Sequence, residues 1–385
     1  MRFRLGWASP AALFALALVT GCSTESSGPT APDPSEVFGG PGFGGDGGVY
    51  TMTNAVSGNA VIAFRRAEDG SLASLGSFPT GGAGTGGGVD PLQSQYSLVL
   101  DEARRFLFVA NAGSDDISVF QVMNDASLRL VDRVASGGDF PISLAVRNHD
   151  LFVLNAGDNR VARFQVRSTG GLVARGTISL AAGAAGGSTI AFNATGDRLI
   201  VTERDSNRLE TIRVNPVTNQ IEAPVVSPSS GAVPFGFDVS PGGHVIVTEA
   251  LGATPSGAIS SYRVNSNGTL GTITASANAN GGATCWVIVT SAGFAFATNT
   301  SSGTLTSASI AADGVITIVS PTAGVTGFGS APTDLDLSAD QRFLYVLEAG
   351  SGNLRMYDVS GAILTDRGTT PAGAGLSGMQ GVAAF

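Results

Sequence analysis

Lysine is absent from this chain, so all 21 basic residues are arginine, set against 30 acidic ones for a formal charge of −9. An acidic surface of this kind opposes nucleic acid, which is therefore not an expected partner. Cysteine is nearly absent too. With only Cys22 and Cys285, no disulfide framework can staple the fold, and stability has to come from packing. Histidine occurs twice, as His149 and His244, which leaves little imidazole for a catalytic triad or a metal site. Helix signals are missing as well: 54 glycines, with Thr, Ser and Val abundant, suit turns and strands. The apolar stretch over Leu13–Val19 is too short to span a membrane comfortably.

That stretch follows Arg2 and Arg4 and reads as an export signal. Val19-Thr20-Gly21-Cys22 looks like a bacterial lipobox, so residues 1–21 are expected to be removed and Cys22 to carry lipid at the mature N-terminus. Ser23 after the cysteine favours an outer-membrane destination. Residues 22–46, rich in Pro, Gly and Ser, form a flexible tether. The expected location is the bacterial cell envelope, lipid-anchored at the outer membrane or periplasmic surface, and the expected folded domain is 47–385.

Within 47–385 one motif recurs six times: an apolar strand, a turn, a second apolar strand closing on Asn or Glu, a turn and a third strand. Leu100, Val146, Phe192, Val239, Val289, Leu337 and Phe385 end successive first strands, at intervals of 46 to 50 residues. Fourth strands follow turns such as Asn267-Gly268 and Asp313-Gly314. Four antiparallel strands per repeat make a propeller blade. The N-terminal segment supplies second, third and fourth strands from Val49, Val61 and Leu72 but no first; Gly381–Phe385 is a first strand with nothing after it. Together they complete a seventh blade. The fold class is therefore all-β, a seven-bladed β-propeller of four-stranded antiparallel blades, its ring closed by the C-terminal strand joining the N-terminal blade.

The residues closing the second strands are Asn54, Asn111, Asn155, Glu203, Glu249, Asn299 and Glu348. All seven fall on the face carrying the crossings between blades, where they make a candidate ligand-binding ring around the channel mouth. Asn also caps its own turn, so a purely structural role competes at each position. Glu is a poor turn former, which makes Glu203, Glu249 and Glu348 the candidate catalytic residues. Glu203 has Arg204 beside it, although neighbours along a strand point to opposite faces. His149 and His244 belong to turns on the other face. No metal site is expected on these residues, and no cofactor, a divalent cation beside the glutamates being the one open exception. Cys285, next to Trp286, reads as packing near the hub, while Asp115, Asp116 and Asp205 read as turn residues.

Ser97-Leu98-Val99-Leu100 with Phe106-Leu107-Phe108-Val109-Ala110-Asn111-Ala112-Gly113, Leu151-Phe152-Val153-Leu154-Asn155-Ala156-Gly157, and Phe343-Leu344-Tyr345-Val346-Leu347-Glu348-Ala349-Gly350 resemble the lactonase-like propellers. That family includes propeller-type 6-phosphogluconolactonases and carboxymuconate cyclases and is related to propellers with Tyr-Val-Thr-Asn repeats. The resemblance covers 47–385 and implies the fold. The cyclases are expected to use His with Arg and Glu, and no His stands at a matching loop, so no catalytic residue is carried over. The functional expectation is a monomeric ligand- or protein-binding, scaffolding propeller, tied to the membrane by its anchor and using the Glu/Asn-lined mouth. The alternative is a lactone hydrolase or a carboxymuconate cyclase-like isomerase.

Overall fold

A computed structural model describes residues 47–215, 220–253 and 256–385. The signal, Cys22, the tether and Thr254-Pro255 of the longest turn between second and third strands lie outside the described residues. The strands assemble into seven four-stranded sheets, each antiparallel, with no helix among the described residues. Blade 1 contains β1 (Gly47–Met52), β2 (Ala60–Arg66) and β3 (Leu72–Pro79), with β28 (Gln380–Ala384) added at its inner edge. Blade 2 runs β4 (Leu98–Leu100), β5 (Phe106–Asn111), β6 (Asp116–Val122) and β7 (Leu128–Ala135) from hub to rim. The next five blades repeat this order, their inner strands beginning at Pro141, Gly187, Pro234, Thr284 and Pro332.

The ring closes as its ends require. Tyr50 pairs with Ala383, the Phe385 amide donates to the Gly48 carbonyl at 3.0 Å, and Arg66 Nε donates to the Phe385 carbonyl at 3.0 Å. The Tyr50 and Phe385 rings lie 6.3 Å apart. Closure of this kind covers the inner edge of β1, which would otherwise stand open.

Second strands are apolar throughout because both of their faces are covered by neighbouring blades. β5 is buried at every position, and so is Phe343–Glu348 of blade 7. Outermost strands are instead exposed over much of their length. Adjacent blades interlock where a tight turn meets an aromatic ring. Gly70, at φ +84°, sits against Phe343, and Gly170, at φ +89°, sits against Phe106; in each case an added Cβ would lie 2.6 Å from the ring. Only glycine meets both the backbone and the space requirement there.

Candidate functional site at the channel mouth

On the upper face the chain crosses from the rim of each blade to the hub of the next. Six of these crossings are short, such as 136–140 and 229–233; the seventh, over 80–97, is far longer. Its last part leaves the face and enters the channel. β4 is correspondingly short, because the residues ahead of it bend away from β5 and bond to other blades. Leu144 N–H donates to the Tyr96 carbonyl at 2.9 Å, and Ser143 Oγ to the Gln95 carbonyl at 2.6 Å. Ser188 Oγ donates to the Gln93 carbonyl and Trp286 Nε1 to the Ser94 carbonyl, both at 2.8 Å. Gln95 Nε2 donates to the Val287 carbonyl at 2.8 Å, and Tyr96 OH reaches the Phe237 carbonyl at 3.3 Å. Residues 93–96 therefore form a plug bonded to blades 3, 4, 5 and 6.

Below the plug, burial pushes the carboxyls of Asp238 to about 6 and Asp336 to about 7, and Asp334 well above its usual range. Asp334 Oδ2 is buried and has no hydrogen-bond partner among the described residues, which suits a neutral acid.

The plug makes the upper mouth a cup. Asp90 stands at its edge, with Oδ1 accepting the Gln93 amide at 2.9 Å. Burial raises its carboxyl to about 7, opposed by the Gln93 amide and by the charge of Arg204. Arg204 Nη1 is bonded to the Gln93 side-chain oxygen, while its Nε is buried and has no hydrogen-bond partner among the described residues. Gln380 reaches the same place from β28, its Nε2 donating to the Met379 carbonyl at 2.9 Å. Gln93 thus joins the two groups, its backbone N–H donating to the Asp90 carboxylate and its side-chain oxygen accepting from the Arg204 guanidinium. Cys285 lies beneath, and burial pushes its thiol far up, away from the reactive thiolate.

The seven Asn and Glu positions lie at the upper ends of their second strands, where the repeat puts them. All are at most 2% exposed, so their side chains point into the walls and not into the cup. Asn54 exchanges bonds with Thr85 in the long crossing, and Asn155 Nδ2 donates to the Ser136 carbonyl. Asn111 binds Asp116 and Ser118, while Asn299 binds Thr284, Thr304 and Thr306. Glu203 accepts from Arg208 Nε at 2.8 Å, from Ser206 and from the Ala185 amide. Glu249 has no cation within salt-bridge distance among the described residues; it accepts from the Gly231 amide at 2.8 Å and from the hydroxyls of Ser229, Ser260, Tyr262 and Ser276. Glu348 binds Arg355 and Ser351.

Glu203 and Arg204 point to opposite sides, the first to the blade wall and the second to the cup. His149 and His244 occupy turns between first and second strands on the lower face. Among the described residues no group of three or more His, Cys, Asp or Glu is placed to hold a metal ion.

Residues 57–183 match the family model described as lactonase, 7-bladed β-propeller. This chain is a seven-bladed β-propeller, and about a third of it is similar to that family. Solved structures agree with that fold. A candidate 6-phosphogluconolactonase from Bacteroides fragilis is 14% identical with a TM-score of 0.68, covering 89% of this chain and 99% of its own. The periplasmic gluconolactonase of Pseudomonas aeruginosa is 18% identical with a TM-score of 0.64, covering 87% and 98%. A Lactobacillus plantarum protein is 15% identical with a TM-score of 0.70, covering 88% and 99%. No curated protein matches this chain. Asp90, Gln93 and Gln380 are not among the candidate residues the sequence suggests; the one signal for the first two is the excess length of the 80–97 crossing.

Proposed function

We propose that the cup binds a small lactone, of the sugar-acid kind, and opens it by hydrolysis. The observation that carries this reading is Asp90, a mouth carboxylate raised to about 7 and linked through Gln93 to Arg204. Asp90 takes a proton from water, whose oxygen forms a bond to the lactone carbonyl carbon. Negative charge then gathers on the carbonyl oxygen, where Arg204 stabilises it. The ring C–O bond breaks, the alkoxide regains the proton from Asp90, and the product is the open hydroxy acid. The named activities of the Bacteroides and Pseudomonas neighbours support the same class.

The experiment is turnover of gluconolactone against pH. Activity is expected to rise through pH of about 7 as Asp90 ionises, and Asp90→Asn is expected to lose about 10²-fold or more. Should Asp90→Asn keep full turnover, the assignment fails. Lactone binding without turnover by the unaltered protein would favour the binding and scaffolding role instead.

We also propose that the protein is exported and held in the cell envelope by lipid on Cys22. The mass of the mature N-terminal peptide tests this; an unacylated Cys22, or a retained Met1, would refute it.

A further inference from the structure

We propose that a groove on the lower face, between blades 4 and 5, is a binding site for a phosphate-class anion: inorganic phosphate, a phosphomonoester or a phospholipid headgroup. It is independent of the cup, which opens on the other face. The groove holds about 530 Å³ and is lined by Arg198, Arg213, Arg263, His244, Asn193 and Asn265, among others.

Its charge arrangement favours an anion. Arg198 and Arg213 are direct partners in the antiparallel register of blade 4, so two like charges stand opposite each other on one sheet face. Such a pair is destabilising by itself. Arg263 joins them from blade 5. Two carboxylates, Asp197 and Glu222, stand against the three guanidiniums and leave positive charge in excess. Asp197, held in its own turn by Thr195 and by Asn193 Nδ2, is also attracted by the charge of Arg198. Glu222 meets Arg213 at 3.3 Å, with both side chains about half exposed (51% and 45%). Neither Arg198 nor Arg263 has a carboxylate within salt-bridge distance among the described residues. Arg198 is positioned instead by a bond from Nη2 to the Ser266 carbonyl at 3.3 Å, which ties it to blade 5 across the groove. In a chain of formal charge −9, three arginines converging on one cleft form a local exception. Guanidinium forks match phosphate oxygens in pairs, which selects phosphate over a monovalent halide.

The test uses the full chain carrying Cys22→Ser, so that no acyl chain inserts into vesicles. Sodium phosphate is expected to raise Tm relative to sodium chloride at equal ionic strength. Arg198→Gln/Arg213→Gln is expected to abolish that difference and to weaken phosphate binding by about tenfold or more in calorimetry. In chloride alone Arg213→Gln is expected to fold with a Tm changed little, since relief of the like-charge contact offsets loss of the half-exposed pair with Glu222. Arg263→Gln provides a second variant should the double substitution not fold. Co-sedimentation with phosphatidylglycerol vesicles, compared with phosphatidylcholine, separates the sources: retention that the double variant loses assigns a lipid headgroup, and a phosphate effect without retention assigns a free phosphate or phosphomonoester. If neither phosphate nor phosphatidylglycerol distinguishes the unaltered protein from the variants, the proposal is overturned.

Discussion

The buried glutamates show how one residue type at one repeat position takes different partners. Glu203 and Glu348 face arginines, whereas Glu249 is surrounded by four hydroxyls and a backbone amide. A carboxylate accepting only neutral donors depends on every one of them, because each missing bond leaves a buried polar atom unsatisfied. Glu249→Gln replaces an acceptor oxygen by a donor NH2 amid hydroxyls and the Gly231 amide, and is expected to cost about 1–3 kcal/mol of stability. Urea unfolding checks this. An unchanged midpoint would show that the 229–233 crossing does not rely on Glu249. From sequence alone the recurrence of Asn and Glu was plain. Their burial was not, because it depends on crossings that contribute little patterned sequence of their own.

At the scale of elements, the tight glycine turns act as pins between blades. Gly170→Ala combines a backbone at φ +89° with a Cβ placed 2.6 Å from the Phe106 ring. A cost of about 1–3 kcal/mol is expected, from overpacking together with the loss of a conformation favouring glycine. Gly76→Ala, at φ +98° with nothing within 4 Å of the new atom, isolates the backbone part. Thermal unfolding of both variants measures the difference, and equal losses would contradict the interlock. Strand positions were legible because burial on two faces writes continuous apolar runs such as Phe106–Asn111. The plug was not legible. Gln93, Ser94, Gln95 and Tyr96 resemble an ordinary polar connection, and only the walls supplied by distant blades give them partners.

For the whole molecule, the channel carboxyls set a pH dependence whose sign follows from linkage. Asp90, Asp238 and Asp336 titrate at about 7, 6 and 7 in the folded chain, against an ordinary 3.8, and burial is the main cause in each. Glu210 is likewise raised to about 7, by burial and then by its neighbour Glu203. Between those limits the folded state binds more protons than the unfolded state, so stability falls as pH rises through 6 to 7. Asp69, Asp125, Asp197 and Asp340 shift the opposite way and act only at still lower pH. Tm is therefore expected to be several degrees higher at pH 5 than at pH 8, by calorimetry at fixed ionic strength; a flat or rising profile would refute the assignment.

Joining Gln380–Ala384 to Gly47–Met52 also dictates an order of events. A ribosome must release the final residues before the circle can shut, and until then Tyr50 and its neighbours offer an open ladder to any passing strand. Chains cut short by even a handful of codons should thus be captured by chaperones or precipitate, although six of their seven sheets are intact.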